Sequence, residues 1–531
     1  MLTPETNIRA ADDNRALILT AIGLVASLIA ASLDPLGVLH ADDLTHYLFA
    51  KEAWRWPTYL LHDWGRPGFT IPYALPAAFS WLACRALSAI LSALSAWFAY
   101  RIAGGLGLRA AWAVIPLCYL QPLFFKLSQT TLTETPLAFY LTLALYLAQR
   151  RKWTLSSTII SLAFITRHEA IIFLPIWLYF ARKDRVPLLR LAPILWAPIL
   201  VNTLAPIFGV GTILTRMIDP ASTGQYGHGG WLTYFARSLE ASGPGIMVLA
   251  MIGIFYQLKP FTRAAMPAAC ALTYFATQTI IRALGLYDSG GYARFLVPIA
   301  PLIAIAALSG WHQLRNPDAT THRRATLLAL VSMSLLWLAM ERQLILYAMR
   351  MDEIAELPEI HYAKLAMRIA TAGIAIIALA TLARRTKTPS RLLPASLAIL
   401  TALATWSLSG RLYAPPETQL IRAMNEWRTT HGHSLAPIIS ASVWIDYLTD
   451  RDLPPDRPSV RTQLELAPLG TCFAWEKQFA PTPDHKVPLT DLQHSNCFEL
   501  IYQSAPIHGE KEPFIRLYKK IAPWPPPTPP V

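Results

Sequence analysis

The chain has 531 residues, of which 54% are hydrophobic and only 15% are charged. Soluble globular domains carry about 25% charged residues, so this composition argues against a soluble protein and favours one solvated by lipid. The net charge of +13 does not indicate a nucleic-acid partner, because the Lys and Arg residues form short clusters between apolar blocks rather than one basic stripe. We interpret these clusters as determinants of membrane topology.

Apolar blocks recur at about the length, roughly 20 residues, that a helix needs to cross the hydrocarbon of a bilayer. The polar residues 1–15 precede the first block, and their acidic side chains favour a retained anchor over a cleaved signal peptide. The predicted spans are residues 16–33, 80–103, 111–127, 135–148, two within 153–181, then 191–206, 245–258, 264–283, 295–314, 326–347, 362–383 and 392–408. The sequence therefore predicts a polytopic α-helical membrane protein with about 13 transmembrane helices.

Residues 153–181 could form one long helix or two short ones broken at Arg167, His168 and Glu169. Basic clusters flank this stretch on both sides, and the positive-inside rule places both clusters in the cytoplasm. A hairpin with Arg167 to Glu169 at its outer turn satisfies that rule. The same threading puts residues 1–15 in the cytoplasm, and it puts the loops 34–79 and 208–244 outside.

Residues 409–522 mix short β-like runs with turn-rich stretches, which predicts a small α/β domain, and residues 523–531 form a proline-rich tail. An odd number of spans places this domain outside the cytoplasm. Cys472 and Cys497 are the two cysteines that lie outside the apolar blocks. An oxidising compartment would let them form a disulfide, worth roughly 3 kcal/mol in the chain-entropy model.

The first outer loop holds three candidate functional residues. Asp42 and Asp43 follow the first span, and a carboxylate there can act as a general base toward an acceptor hydroxyl. A solvated acidic pair is the alternative explanation. Arg66 lies in a turn rich in Gly and Pro, where its guanidinium suits either a substrate phosphate or a lipid head group.

Later segments add further candidates. Glu134 precedes Pro136 at the start of a span, which is typical of a helix N-terminus as much as of a functional carboxylate. The charges from Arg167 to Glu169 lie at the tip of two short spans, where they are costly unless they face a polar cavity. Arg294 begins a proline-containing span, where it could bind phosphate or snorkel toward the interface.

These motifs together resemble the GT-C superfamily of membrane glycosyltransferases, particularly the branch of protein O-mannosyltransferases and lipid A aminoarabinose transferases. The resemblance covers about residues 16–410. Four pieces carry it, namely Asp42-Asp43 with Tyr47, Glu134-Thr135-Pro136-Leu137, Arg167 to Glu169, and Tyr292 to Pro298.

The resemblance implies an enzyme that moves a sugar from a polyprenyl-phosphate carrier to a glycan, lipid or protein acceptor on the outer face, usually with inversion. The pair is Asp-Asp where many relatives have Asp-Glu, so either Asp42 or Asp43 could be the base, and Asp42 is favoured as the first member. Preorganised cations would stabilise the leaving lipid phosphate. The implied phosphate ligands are Arg66, Arg167 and Arg294, and the implied supporting residues are Tyr47, Glu134, His168, Glu169 and Tyr292.

The sequence leaves several matters open. It contains no phosphate-cradling Gly loop, which fits a lipid-linked donor, and it does not decide whether a divalent cation is needed. A transporter or flippase for a lipid-linked or anionic solute is the main alternative, although transporters place ionisable groups near the midplane and show repeated halves. A glycan ligase and a noncatalytic scaffold are further alternatives. We expect the protein in a bacterial inner membrane, with the carboxy-terminal domain in the periplasm.

Overall fold

The computed structural model describes residues 4–33, 41–210, 228–259, 262–316, 318–343, 438–477, 479–482, 485–506, 513 and 515–524, with isolated positions between 365 and 429. The α-helices before residue 344 are α1 (Pro4–Leu33), α2 (Ala41–Glu52), α3 (Pro67–Ala77), α4 (Trp81–Gly105), α5 (Val114–Tyr119), α6 (Pro122–Leu127), α7 (Glu134–Gln149), α8 (Trp153–Thr166), α9 (Phe173–Lys183), α10 (Trp196–Leu204), α11 (Thr233–Ser242), α12 (Pro244–Leu258), α13 (Met266–Leu284), α14 (Ala300–Leu314) and α15 (Ala319–Gln343). Short 3-10 helices include His168–Ile172, Leu188–Leu195 and Ala293–Ile299.

Within the described ranges, five helical segments are long and apolar enough to cross a bilayer. They are Ala11–Leu33, Trp81–Gly105, Leu188–Phe208, Arg263–Leu284 and Ala293–Leu314. Helices α11 and α12 together meet the same criterion but are bent by 113° at their junction. These segments are what a polytopic membrane protein requires. The predicted span 392–408, the end of 326–347, and all but isolated positions of 362–383 lie outside the described residues.

Two predicted segments differ from the structure. The predicted span 111–127 is not one helix, because it divides into a 3-10 turn, α5 and α6 with a break at Gln121. Pro122 follows the break and disfavours a helical conformation at the residue before it. The predicted outer loop 34–79 contains two helices, α2 and α3, which turn the loop into a rigid layer over one end of the bundle.

The predicted helical hairpin around Arg167 is present. Helix α8 ends at Thr166 and α9 begins at Phe173, with a 3-10 turn between them. Trp177 on α9 donates a hydrogen bond from Nε1 to Ser156 Oγ on α8 at 2.9 Å, so the two helices fold back on each other. The membrane side on which this turn lies stays a prediction.

Helices α12 and α14 pack closely on each other. A Cβ atom at Gly253 would overlap the backbone oxygen of Ala306, and one at Gly310 would overlap the backbone oxygen of Leu249. Glycine at both positions lets the two backbones approach closely, which is how helices commonly associate in membranes. This pair therefore fixes α14, and with it the segment Ala293–Ile299 that leads into α14.

Residues 438–524 contain a four-stranded sheet with three short helices. The strands are β1 (Ile438–Ser440), β2 (Cys472–Glu476), β3 (Phe498–Gln503) and β4 (Ile515–Lys520), in the order β1-β2-β4-β3, and the helices are α16 (Val443–Leu448), α17 (Val460–Leu466) and α18 (Leu489–Gln493). Strands β1 and β2 are parallel, and the other pairs are antiparallel. One face packs on α17 and α18, and the opposite face packs on α2, α3 and α4. Strand side chains alternate between the two faces of a sheet. Here both sets of side chains are apolar, because each face is covered by other elements.

The predicted disulfide is absent from the structure, where Cys472 and Cys497 are free cysteines. Cys472 pairs with Lys519 of β4, whereas the Cys497 carbonyl accepts a hydrogen bond from Ile521 on the other side of that strand. Two strand spacings amount to roughly 9–10 Å, beyond the ~7 Å that a disulfide can bridge. The two thiols also belong to apolar clusters on opposite faces of the sheet.

An aromatic cluster attaches the sheet to the bundle. The Tyr47 ring of α2 stacks on Trp81 of α4 at 5.9 Å and meets the edge of Tyr447 at 6.1 Å, and Trp444 lies 5.9 Å from Trp81. Around this cluster, Tyr59 donates a hydrogen bond to the Leu453 carbonyl at 2.7 Å. Tyr47 therefore belongs to this interface, and its role in supporting the substrate stays a prediction.

Replacing Trp444 by Ala should weaken this attachment, because the side chain is fully buried between the sheet and the bundle. Removing a buried Trp typically costs about 3–5 kcal/mol. We expect W444A to lower the apparent melting temperature of the purified protein by several degrees and W444F to retain most of the stability. The control L466A changes an exposed residue and should leave the melting temperature unchanged. Identical melting of W444A and wild type would contradict the interface.

Candidate active site

Asp43 is locked into the protein by the loop that precedes α7. Its Oδ1 accepts a hydrogen bond from the Thr131 backbone N–H at 2.5 Å and another from the Thr131 hydroxyl. Trp81 donates from Nε1 to that hydroxyl oxygen at 2.9 Å. The carboxylate is fully buried, and this burial raises the pKa of Asp43 from 3.8 to about 6. Asp43 therefore anchors the first turn of α2.

Asp42, the preceding residue, points to a different environment. Its carboxylate forms an ion pair with Arg294 and is 18% exposed. Successive helical residues are about 100° apart around the helix axis, which separates the directions of the two carboxylates. The adjacent pair is thus divided into a buried anchor, Asp43, and a carboxylate at the edge of the site, Asp42.

Glu134 is the central carboxylate of the site. It begins α7, is 1% exposed, and its Oε1 accepts a hydrogen bond from Arg167 Nη1 at 2.9 Å. Arg294 Nε lies 3.5 Å from the same oxygen. One buried carboxylate therefore holds two arginines that come from segments more than 120 residues apart in the chain.

Arg167 is fixed from several sides. Its Nε donates to Glu169 at 2.6 Å, and its guanidinium lies 4.4 Å from the centre of the Phe295 ring. Tyr274 and Gln278 of α13 also donate to the carboxylate of Glu169, at 3.4 and 3.1 Å. Burial opposes the ionisation of Glu169, but the Arg167 charge outweighs it and lowers the pKa of Glu169 to about 2. The pair is thus fully charged at neutral pH.

Arg66 joins the site through His168. His168 Nε2 lies 2.8 Å from Asp63 Oδ1 and contacts the Arg66 guanidinium, which is itself 3.7 Å from Asp63. Arg66 has a φ of 61°, an uncommon conformation for a side-chain-bearing residue. A Cβ at Gly68 would overlap Thr166, so glycine lets α3 approach α8 and brings Arg66 beside the turn after α8.

The structure brings the predicted residues together, apart from Tyr47 and the two cysteines. The Tyr292 ring lies 5.2 Å from the guanidinium carbon of Arg294, which places it at the edge of the cluster. The converging residues are Asp42, Asp43, Arg66, Glu134, Arg167, His168, Glu169, Tyr292 and Arg294. In the part of the chain that the structure describes, no group of three or more His, Cys, Asp or Glu could hold a metal ion.

Three contributors were missed by the sequence analysis. Asp63 holds His168, Thr131 holds Asp43, and Arg85 is 1% exposed with its Nε bonded to the Gln129 carbonyl at 2.6 Å. An arginine within the apolar block 80–103 was a usable signal for Arg85, because charged residues in spans usually serve the site or a buried partner. Thr131 carried no comparable signal.

The raised pKa of Asp43 predicts a pH-dependent stability. The folded state binds this proton more tightly than the unfolded state, so the protonated carboxyl contributes stability that is fully present below about pH 4 and lost as the pH rises through about 6. Asn stays neutral at every pH. In thermal unfolding at pH 7.5, D43N should therefore melt at a higher temperature than wild type. At pH 4.5 the difference between the two melting temperatures should be much smaller.

E499Q, which changes an exposed carboxylate, serves as the control. Its melting temperature should differ from that of wild type by the same amount at both pH values. A melting temperature of D43N that stays below that of wild type at pH 7.5 would show that ionised Asp43 is stabilised by its neighbours rather than strained by burial.

Comparison with known proteins adds an independent line of information. Residues 37–166 match the family model described as dolichyl-phosphate-mannose-protein mannosyltransferase. The fold matches the crystal structure of ArnT from Cupriavidus metallidurans bound to undecaprenyl phosphate, with a TM-score of 0.58 and 14% identity over 96% of this chain and 99% of that chain. The match to the apo structure of ArnT from the same organism has a TM-score of 0.54 and 13% identity, over 98% of this chain and 100% of that chain.

A search of curated proteins found no match to this sequence. The family model covers the segment that carries Asp42, Asp43, Arg66 and Glu134, and the structural match extends over nearly the whole chain. The predicted resemblance to protein O-mannosyltransferases is confirmed by the family model over residues 37–166, and the fold of nearly the whole chain is similar to that of ArnT.

Proposed function

We propose that this protein is a membrane glycosyltransferase that takes a sugar from a polyprenyl-phosphate donor and transfers it to an acceptor on the extracytoplasmic face. One observation carries the proposal: Arg66, Arg167 and Arg294 converge with Asp42 at one end of an apolar helical bundle. A cationic cluster at that position suits a phosphate held at the membrane boundary. The bound undecaprenyl phosphate in the similar ArnT structure supports the same class of donor.

Asp42 is the base in this mechanism. Of the two aspartates, Asp42 is partly exposed at the site, whereas Asp43 is fully buried against Thr131. A base must come within hydrogen-bond reach of the acceptor hydroxyl, which favours Asp42. Asp43 then acts as a positioning residue, because its bonds to Thr131 fix the first turn of α2.

The ion pair between Asp42 and Arg294 gives the donor a second role. A donor phosphate competes with the Asp42 carboxylate for the Arg294 guanidinium, and charge-assisted contacts to phosphate are strong enough to do so. Binding of the donor therefore turns Arg294 toward the phosphate and frees Asp42 for the acceptor. This order keeps Asp42 paired with Arg294, and so away from the acceptor hydroxyl, until the donor is bound.

The transfer step balances as a single displacement. Asp42 removes the proton of the acceptor hydroxyl, the acceptor oxygen forms a bond to the anomeric carbon, and the bond from that carbon to the phosphate oxygen breaks. The lipid phosphate leaves with the electron pair, and the arginines stabilise its growing charge. Attack opposite to the leaving group inverts the anomeric configuration.

The surroundings of the site support an extracytoplasmic reaction. The sheet of the carboxy-terminal region packs on α2, the helix that carries Asp42, so both lie on the same side of the bundle. The positive-inside rule puts that side outside the cytoplasm, which in a bacterial inner membrane is the periplasm. The acceptor is a glycan, lipid or protein that reaches this face. A divalent cation is an optional partner of the acidic pair.

The decisive substitution is Asp42→Asn, tested by incubating purified protein with a panel of polyprenyl-phosphate sugars and an acceptor extract, and following lipid-phosphate release. Asn keeps the size of the side chain but cannot accept the proton. Loss of a general base costs about 100- to 10,000-fold in rate. We expect D42N to lose transfer by that factor and to keep donor binding.

D43N should lose less activity than D42N, because it retains the oxygen that accepts from Thr131. Asp450, 87% exposed in the carboxy-terminal region, provides a control, and D450N should transfer at the wild-type rate. Wild-type rates for D42N would remove Asp42 as the base. Donor binding without any donor-dependent phosphate release from the wild-type protein would favour the transporter alternative.

A further inference from the structure

A large cavity lies at the end of the bundle opposite to the candidate active site. Its volume is about 930 Å³, and its walls include the turn after α4 and the carboxy-terminal end of α14. The active-site residues lie at the other ends of the same helices, near Arg85 on α4 and Arg294 before α14. A 25-residue helix such as α4 is about 37 Å long. The cavity and the active site are thus separated by roughly the thickness of a membrane.

The floor of the cavity is apolar and its rim is basic. Leu117, Leu120 and Leu308 supply aliphatic surface, while Arg109 and Arg315 are exposed at the rim. Among the described residues that line the cavity there is no Asp or Glu. The combination provides an apolar slot for a hydrocarbon chain beside cations for an anion.

The rim has the features of a membrane interface. Trp112 and Trp311 both line the cavity, and tryptophan is enriched where helices leave the hydrocarbon. The Arg315 guanidinium lies 5.8 Å from the centre of the Trp311 ring, and His312 Nε2 contacts the Arg109 carbonyl at 2.9 Å. The last contact ties the wall formed by α14 to the turn after α4, so the two arginines are held on one rim.

We propose that this cavity binds an anionic phospholipid of the leaflet opposite to the active site, with the phosphate at Arg109 and Arg315 and one acyl chain along the leucines. Charge complementarity selects this occupant over a zwitterionic lipid. The positive-inside rule predicts that this end faces the cytoplasm, where anionic head groups and basic side chains attract each other. The proposal does not depend on the transferase activity.

The test measures lipid retention by the purified full-length protein in native mass spectrometry, with phosphatidylglycerol and phosphatidylcholine of the same acyl chains as probes. Wild type should retain phosphatidylglycerol preferentially. The double variant R109Q/R315Q should lose roughly 30-fold of that affinity, because each arginine near an anionic lipid contributes about fivefold. L120W, which fills the slot without changing charge, should weaken the binding of phosphatidylglycerol as well.

R190Q is the matched control, because Arg190 is exposed and predicted on the same side but does not line the cavity. Its affinity should equal that of wild type. Equal retention of the two lipids by wild type, or unchanged preference in R109Q/R315Q, would overturn the proposal. Displacement of phosphatidylglycerol by undecaprenyl phosphate at equal concentration would overturn it too, because the cavity would then belong to the donor lipid.

Discussion

The candidate site depends on one buried charge, the carboxylate of Glu134. A carboxylate that is 1% exposed is costly unless cations compensate it, and here Arg167 and Arg294 do so from two separate later segments of the chain. Each arginine is in turn held by a further carboxylate, Glu169 or Asp42. The charges therefore stabilise one another in the absence of a ligand, and no single member of this network can be removed without leaving a partner uncompensated.

The same network explains how a phosphate could enter. Glu134 and the Phe295 ring contact both arginines, while Arg294 also pairs with Asp42 and Arg167 also pairs with Glu169. In the proposed mechanism the donor phosphate replaces the carboxylate of Asp42, which is 18% exposed, at Arg294. In that mechanism the exchange makes Asp42 available as the base.

Charges next to or within apolar stretches carried most of the functional information in the sequence, although Arg85 was missed. Burial of an ion in lipid is costly, so the charges from Arg167 to Glu169 were predicted to face a polar cavity at the turn of a helical hairpin. The family resemblance implied that Arg66, Arg167 and Arg294 bind one phosphate. Glu134 was less certain, because Thr, an acidic residue and Pro also begin ordinary helices. Its role depends on which side chains approach it from distant segments, and that information is tertiary.

The disulfide prediction was wrong, and the contacts of Tyr47 were not foreseen, because both depend on geometry that spacing does not encode. Cys472 and Cys497 are separated by β4, and the strand order that places β4 between them is set by long-range pairing. Tyr47 lies only five residues beyond Asp42, yet the helical path of α2 turns it toward Trp81 and the sheet. Residues close in sequence on a helix can face different partners, which the motif alone did not distinguish.

The most direct test of this account is the affinity of undecaprenyl phosphate for E134Q, measured by titration alongside E465Q, which removes a carboxylate from the surface pair with Arg461. The account predicts that E134Q binds the lipid phosphate at least tenfold more weakly than wild type, because Arg167 and Arg294 lose the charge that holds them, while E465Q binds normally. Folding of E134Q is checked by size-exclusion chromatography. Wild-type affinity in a folded E134Q protein would contradict the central role of Glu134.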